Sequence, residues 1–399
     1  MVRTLASLLL LVLLPAVAHC TVATSWTPTV GVWNGSLPAL PQTTGGNLPH
    51  SPMLGNGYMG VQLSTDRASP SIVNASVRGP AAPQSSLHLY VGSNAMWGIY
   101  PALKPALGPT GKGTRRAVGG ASLSGLDDLL GSSASTFAAE QRILSGELHT
   151  TSESAAGALT TVTRMDPHAN ALTLTCSWAP SQATLRTNEH ASLNLTLSVW
   201  ALNRYPGTPP GQHDGPFKGP ALLPTSSSVL NGTTLVVTRE AVPAAIKSPR
   251  RIKVALAAVV QPPLLTEASS VQAAGADPVT AARGFVPVDP SKRFSFTVVV
   301  AMADNLHSPT ADTASLGDVA AKLAQEVDAS GLAASASAWW ANFWARSFVH
   351  LPTQPSVEAL WNGAQYILAC SASADVDPAT PAPGLGGPFV TSDNSGWNG

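Results

Sequence analysis

From about residue 25 to 305 the chain repeats apolar and polar positions with the period of a strand. Leu172-Thr173-Leu174-Thr175-Cys176 and Leu193-Asn194-Leu195-Thr196-Leu197 put every second side chain on one face, and Leu235-Val236-Val237-Thr238 does so in part. Ile252 to Val260 and Phe294 to Val300 are longer strand candidates, rich in β-branched residues. Pro, Gly and Ser clusters separate these runs and helical periodicity is nearly absent, which predicts a β-sandwich. Three stretches read as surface insertions: 101–125, rich in Gly, Ser, Lys and Arg; 203–228, rich in Pro and Gly; and 262–284, rich in Ala and Pro.

After Pro309 the period changes. Leu316, Val319, Ala320, Leu323 and Val327 fall at helical spacing, with Asp312 or Thr313 as N-cap and Gly331 as the stop. A second helix is predicted over Leu332 to Arg346, where Trp339/Phe343 and Trp340/Trp344 form two i,i+4 aromatic pairs. A third starts at Pro355, with Glu358 in its first turn favouring the dipole and Val357, Leu360, Trp361, Ala364, Ile367 and Leu368 as its apolar stripe.

Composition narrows the function classes. With 22 basic and 22 acidic residues, the net charge of zero gives no electrostatic case for a nucleic-acid or anionic-membrane partner. Arg3 followed by Leu8 to Leu14, closed by Pro15 and by small-residue cleavage sites at Ala16-Val17-Ala18 or Ala18-His19-Cys20, reads as a secretory leader over 1–20. A secreted or extracellular protein is therefore expected, with no membrane association once the leader is cut. Asn34, Asn74, Asn194 and Asn231 head Asn-x-Ser/Thr sequons on the same route, as candidate glycosylation sites. Beyond Cys20 only Cys176 and Cys370 remain, in different predicted domains, so stability must come from the core rather than from a disulfide scaffold.

Most familiar chemical signals fail. Gly108 to Thr114 has the look of a phosphate loop, but Gly113 follows Lys112 where Ser or Thr is needed, and Ala106 stands at the first glycine position. The nine histidines show no zinc spacing, no Gly-x-Ser-x-Gly nucleophile turn occurs, and no cofactor or metal is expected. Asp127-Asp128 are neighbours rather than a pair facing across a cleft, and suit a solvated turn or helix start.

Two segments stand out. Leu54-Gly55-Asn56-Gly57-Tyr58-Met59-Gly60 packs three glycines and an Asn into seven positions, a tight turn with positive φ ahead of the strand at Val61 to Leu63. The other is Trp339 to Ser347 with its sequel, through Leu360 to Ala369, to Gly387-Pro388-Phe389-Val390-Thr391-Ser392-Asp393 and Trp397-Asn398-Gly399. These segments, with Leu89 to Gly98 between them, resemble the family 95 glycoside hydrolases and their relatives among the six-hairpin glycosidases, in the order in which that family carries them. The resemblance implies a β-rich N-terminal super-sandwich over 21–308, a helical linker over 309–350, and over 351–399 the first segment of an (α/α)6 catalytic barrel. It also implies the family's chemistry, inverting hydrolysis of α-L-fucosides within glycans. There a Glu protonates the leaving oxygen, and an Asn and an Asp activate water from the opposite face.

The family positions for those groups lie past Gly399, so no catalytic residue is carried over. The expectation is the front portion of a secreted glycosidase, itself inactive, whose sequence is truncated or incomplete. Asp393 and Trp397 stand nearest the family's cleft and are the candidate substrate-binding residues, Trp397 by stacking on a sugar face. The alternative is a non-catalytic carbohydrate-binding or scaffold sandwich, for which the ten Trp would serve as sugar platforms. The expected partner in either reading is a carbohydrate; the oligomeric state is not legible.

Overall fold

In the computed structural model the strand-period runs pair into two antiparallel sheets, followed by three helices of more than one turn. The structure describes residues 29–34, 51–65, 86–99, 113–131, 136–186, 192–201, 225–241, 252–272, 280–306, 308, 313–372 and 389. The first strands are β1 (Thr29–Asn34), β2 (Met53–Gly55), β3 (Met59–Thr65), β4 (Ser86–Ile99), β5 (Gly113–Ser124) and β6 (Thr136–Arg142). The middle set is β7 (Glu147–Glu153), β8 (Gly157–Met165), β9 (Ala171–Pro180), β10 (Leu193–Ala201) and β11 (Thr225–Leu230). The last are β12 (Thr234–Ala241), β13 (Ile252–Gln261), β14 (Thr266–Gln272), β15 (Thr280–Val288) and β16 (Phe294–Asp304). Two single turns, α1 (Leu126–Leu130) and α2 (Gln182–Arg186), interrupt them; α3 (Thr313–Glu326), α4 (Ala329–Trp344) and α5 (Pro355–Ser371) follow.

One sheet has nine strands in the order β1-β6-β7-β8-β9-β16-β13-β12-β11, and the other seven, in the order β14-β15-β10-β5-β4-β3-β2. Alternation decides which side chains meet. Leu172, Leu174, Leu256, Val298 and Val300 from the first sheet join Leu89, Val91, Leu123, Leu197 and Val199 from the second in one continuous core. At ~1.5–3 kcal/mol for each fully buried aliphatic side chain, this layer is the main source of stability.

β13 and β16 have a second buried face because α3 covers them. Val236, Ala255, Ala257, Val299 and Ala301 meet Leu316, Ala320, Ala321 and Ala324. Small side chains on both surfaces let the helix lie close to the sheet. Its end is pinned by Gln325 Nε2 donating to Thr234 Oγ1 (2.8 Å), and just beyond it Gln261 Nε2 donates to the Val327 carbonyl (2.9 Å).

The strand runs read from alternation are all present, and several other expectations change. Residues 113–124 of the first expected insertion form β5, and 266–272 and 280–284 of the third lie in β14 and β15. Their Gly and Ala residues concealed them because they serve packing rather than turning. The Trp200 ring lies over Gly120, where a Cβ would come within 2.4 Å of Cζ2, and Tyr90 meets the same ring edge-on at 5.0 Å.

Val319 faces outward on α3, and Ala321 and Ala324 are buried in its place. Gly331 does not stop that helix; it sits in the first turn of α4, whose N-cap Asp328 accepts from Ser330 and Gly331 N–H, both at 3.0 Å. Cys176 and Cys370 are buried free thiols. Among the described residues the helical part is three helices with no closed barrel and no repeated helical hairpin, coarser than the expected (α/α)6 start. No helix of the described residues is long and apolar enough to cross a membrane.

Candidate functional site

The glycine-rich turn that stood out in sequence lies where the sandwich meets the last two helices. Gly57 adopts φ 86°, a conformation in which any Cβ is strained. Asn56 folds the turn around its own side chain: Oδ1 accepts from the N–H groups of Tyr58 (3.1 Å) and Met59 (2.8 Å). Its Nδ2 donates to the carbonyls of Ala169 (2.9 Å) and Asp166 (3.2 Å), tying the turn to the β8–β9 connection. Tyr58 Oη donates to Asp304 Oδ2 at 2.7 Å, at the far end of β16.

This turn completes α5. The last carbonyls of a helix have no partner within it. Gly57 N–H donates to the Cys370 carbonyl at 3.0 Å. Asn94 Nδ2 donates both to the Gly57 carbonyl and, at 3.5 Å, to the Ser371 carbonyl. A turn of the sandwich therefore acts as the C-terminal cap of a helix more than 300 positions away in the chain. Tyr366 Oη donates to the Met53 carbonyl (3.0 Å), and the Gln141 side-chain amide bonds both the N–H and the carbonyl of Met53.

α4 reaches the same joint through its aromatic residues. Trp340 stacks on Tyr366 at 4.8 Å and lies against Gly146 (φ 63°) in the β6–β7 turn. Trp344 Nε1 donates to the Ile143 carbonyl at 2.9 Å. The two predicted i,i+4 pairs form as stacks, Trp339 on Phe343 (5.6 Å) and Trp340 on Trp344 (6.1 Å).

Glu358 is buried and accepts from Leu351 N–H and from His350 Nδ1 (3.1 Å). It clamps the α4–α5 link in addition to sitting in the helix's first turn, and Asn362 assists by donating to the Val349 carbonyl at 3.0 Å.

Burial pushes the Cys370 thiol up to about 12, so it is no nucleophile at neutral pH. The Tyr366 phenol is raised well above its usual range by burial first and by Cys370 second. No cluster of three or more His, Cys, Asp or Glu among the described residues could hold a metal ion.

Among the described residues a second concentration of titratable groups is a charged row on β6, β7 and β8 of the nine-stranded sheet, on the face away from the core. Glu147 accepts from Arg164 Nε (2.7 Å), bonds His149 Nε2 (2.8 Å) and accepts from Ser145 Oγ (3.1 Å); Arg142 pairs with Glu140 at 2.8 Å. Burial raises the Glu147 carboxyl, but hydrogen bonds from His149 and Arg164 and the Arg164 charge outweigh it and bring it down to about 2. A carboxylate so firmly ionised cannot act as a general acid at neutral pH.

The predicted substrate-binding residues Asp393 and Trp397, and the sequon at Asn74, lie outside the described residues. Asn34, Asn194 and Asn231 are all exposed. Sequence reasoning missed Gln141, Asn94 and Asp304 as partners of the turn. The available signal was a polar residue at an inward register position, as Gln141 is in β6 after Phe137 and Ala139.

No family model matches the chain, and no curated protein does. Solved structures do. A protein assigned as a kojibiose phosphorylase, from the human microbiome, superposes with a TM-score of 0.53 at 9% identity, over 84% of this chain and 43% of that one. A family 92 glycosyl hydrolase (TM-score 0.37, 11% identity, 85% and 40% covered) and a bacterial glucoamylase complexed with acarbose (0.35, 9%, 86% and 44%) overlap too loosely to carry an argument. The chain spans less than half the length of each of these structures. The likeness is one of fold alone, and it does not single out family 95.

Proposed function

We propose that this chain is the front portion of a secreted inverting glycoside hydrolase of family 95 type, acting on fucosylated glycans when joined to a complete helical barrel. On this reading residues 21–308 are the super-sandwich, 309–350 the linker and 351–399 the barrel's first segment, with Asp393 and Trp397 near the sugar. The activity belongs to the longer polypeptide, and the described residues alone do not hydrolyse. The fold likeness to the kojibiose phosphorylase supports the general class, and the motif order supports the family.

One observation carries the reading. α5 is fastened on its inner side by Tyr366, Asn362 and the Cys370 carbonyl, while its outer side presents Leu360 (76% exposed), Leu368 (56%), Trp361 (48%) and Val357 (48%). A helix fixed so firmly and left apolar on its free face is built to receive another helical layer. The alternative of a glycan-binding sandwich needs accessible aromatic platforms on the sheets; the sandwich tryptophans whose side chains are described, Trp178 and Trp200, are both fully buried.

The test is an assay of the longer polypeptide on an aryl α-L-fucoside, with the anomer of the released sugar followed by NMR. Release of the β-anomer first supports the proposal. Absence of fucoside hydrolysis, or release with retained configuration, sinks it.

A further inference from the structure

The two strands that end the nine-stranded sheet each run into a sequon asparagine. β1 ends the sheet on one side, and its final residue, exposed Asn34, heads Asn34-Gly35-Ser36. β11 ends it on the other, and exposed Asn231, directly after its final residue Leu230, heads Asn231-Gly232-Thr233. Asn231 (φ 53°) and Gly232 (φ 69°) form the left-handed centre of a tight turn closed by Thr233 N–H donating to the Leu230 carbonyl at 3.2 Å. This places the Asn231 side chain at the tip of the β11–β12 hairpin.

A terminal strand offers a row of backbone donors and acceptors to any passing strand, and proteins blunt such edges with charges, prolines or cover. Among the described residues the relief is a register shift in β1 between Thr29 and Gly31, and contact of β11 with β14 and β15 of the other sheet. β1 reads TVGVWN and β11 reads TSSSVL, with no charge and no proline in either. α5 passes near β1, yet Val32 remains 58% exposed. Asn194 provides the contrast: it lies on β10, inside the other sheet between β15 and β5, where no edge needs guarding.

We propose that N-linked glycans on Asn34 and Asn231 shield the two edges of the nine-stranded sheet against strand addition by a second copy of this chain. In the modification the Asn Nδ2 bonds to the anomeric carbon of a lipid-diphosphate-linked oligosaccharide. The C1–O bond to the diphosphate breaks, Nδ2 loses one proton, and the lipid diphosphate leaves. The proposal rests on the secretory route and is independent of any glycosidase activity.

The full chain with its leader is expressed in a eukaryotic secretory host and deglycosylated enzymatically in heavy-oxygen water, which turns each formerly glycosylated Asn into labelled Asp. Label at positions 34 and 231 is expected. Association of the secreted protein is then measured by size-exclusion chromatography with light scattering. N34Q/N231Q should associate at a concentration about tenfold lower than wild type, and N194Q should behave as wild type. If the double variant is not secreted, enzymatic removal of glycans from folded wild type and from N34Q supplies the same comparison. Retention of wild type inside the host without glycans, absence of label at 34 or 231, or an unmodified edge as monomeric as wild type would each overturn the proposal.

Discussion

The Cys370 carbonyl, in the last turn of α5, accepts the Gly57 N–H at 3.0 Å and lies only 2.3 Å from where a Cβ on Gly55 would stand. The turn has to be glycine on both sides of Asn56 for different reasons: Gly55 for the close approach of the helix, Gly57 for its positive φ. Gly55→Ala should force α5 outward and cost about 1–3 kcal/mol, the usual penalty of overpacking. Urea unfolding would read the loss, and limited proteolysis of the α4–α5 link would locate it. A variant as stable and as protease-resistant as wild type would mean that the helix does not dock here.

Tyr58 and Asp304 bring the same turn to the end of β16, and both residues are buried. Asp304 Oδ1 also accepts from Leu306 N–H at 2.8 Å, so its carboxylate holds two parts of the chain. Tyr58→Phe keeps the ring and removes the hydroxyl. The expected loss is about 1.5–3 kcal/mol, typical for a buried hydrogen bond to a charged group. A lower urea midpoint at unchanged slope is the expected signature; an unchanged midpoint would show that the bond contributes nothing net.

Glu147 makes stability depend on acid pH. Its carboxyl is lowered from an ordinary 4.5 to about 2 in the folded chain. A depressed carboxyl contributes stability that is fully present above 4.5 and is lost as pH falls from 4.5 through 2. Because the pair is partly open to solvent, the contribution is on the order of 1 kcal/mol. Stability curves of wild type and Glu147→Gln should therefore differ at pH 6 and converge near pH 2. Parallel curves across that range would assign the acid sensitivity to other groups.

How much of this was legible follows from what each element uses to hold itself. Strands whose inward positions are Leu, Val and Phe, such as β9, β13 and β16, announce themselves by alternation. β5 and β15 do not, because Gly120, Ala121, Ala281 and Ala282 leave room for larger neighbours such as Trp200 and so read as loop. The aromatic pairs of α4 were legible because i,i+4 spacing is local. That Gly55 to Tyr58 caps α5 was not, since nothing local links position 57 to position 370. On α5 the apolar stripe was found, but the side that docks is the other one: Tyr366 and the Cys370 carbonyl hold it to the sandwich, while Glu358 and Asn362 hold the α4–α5 link. Those polar groups dock because each finds a backbone or side-chain partner, which no periodicity displays.

The free face of α5 separates a helix awaiting a partner from one that is merely surface. Leu360 and Leu368 are more than half exposed, so Leu360→Glu/Leu368→Glu removes little buried area from this chain. Its unfolding free energy should stay within about 0.5 kcal/mol of wild type, while self-association through the apolar face should fall. In the longer polypeptide proposed above, the same two charges would lie under the next helical layer, and the cost should rise to several kcal/mol because they would be buried without partners. Chemical denaturation of both lengths, each with and without the substitutions, measures the difference directly. Equal and small effects in the two lengths would leave this face exposed in the whole protein, and the barrel reading would lose the observation that carries it.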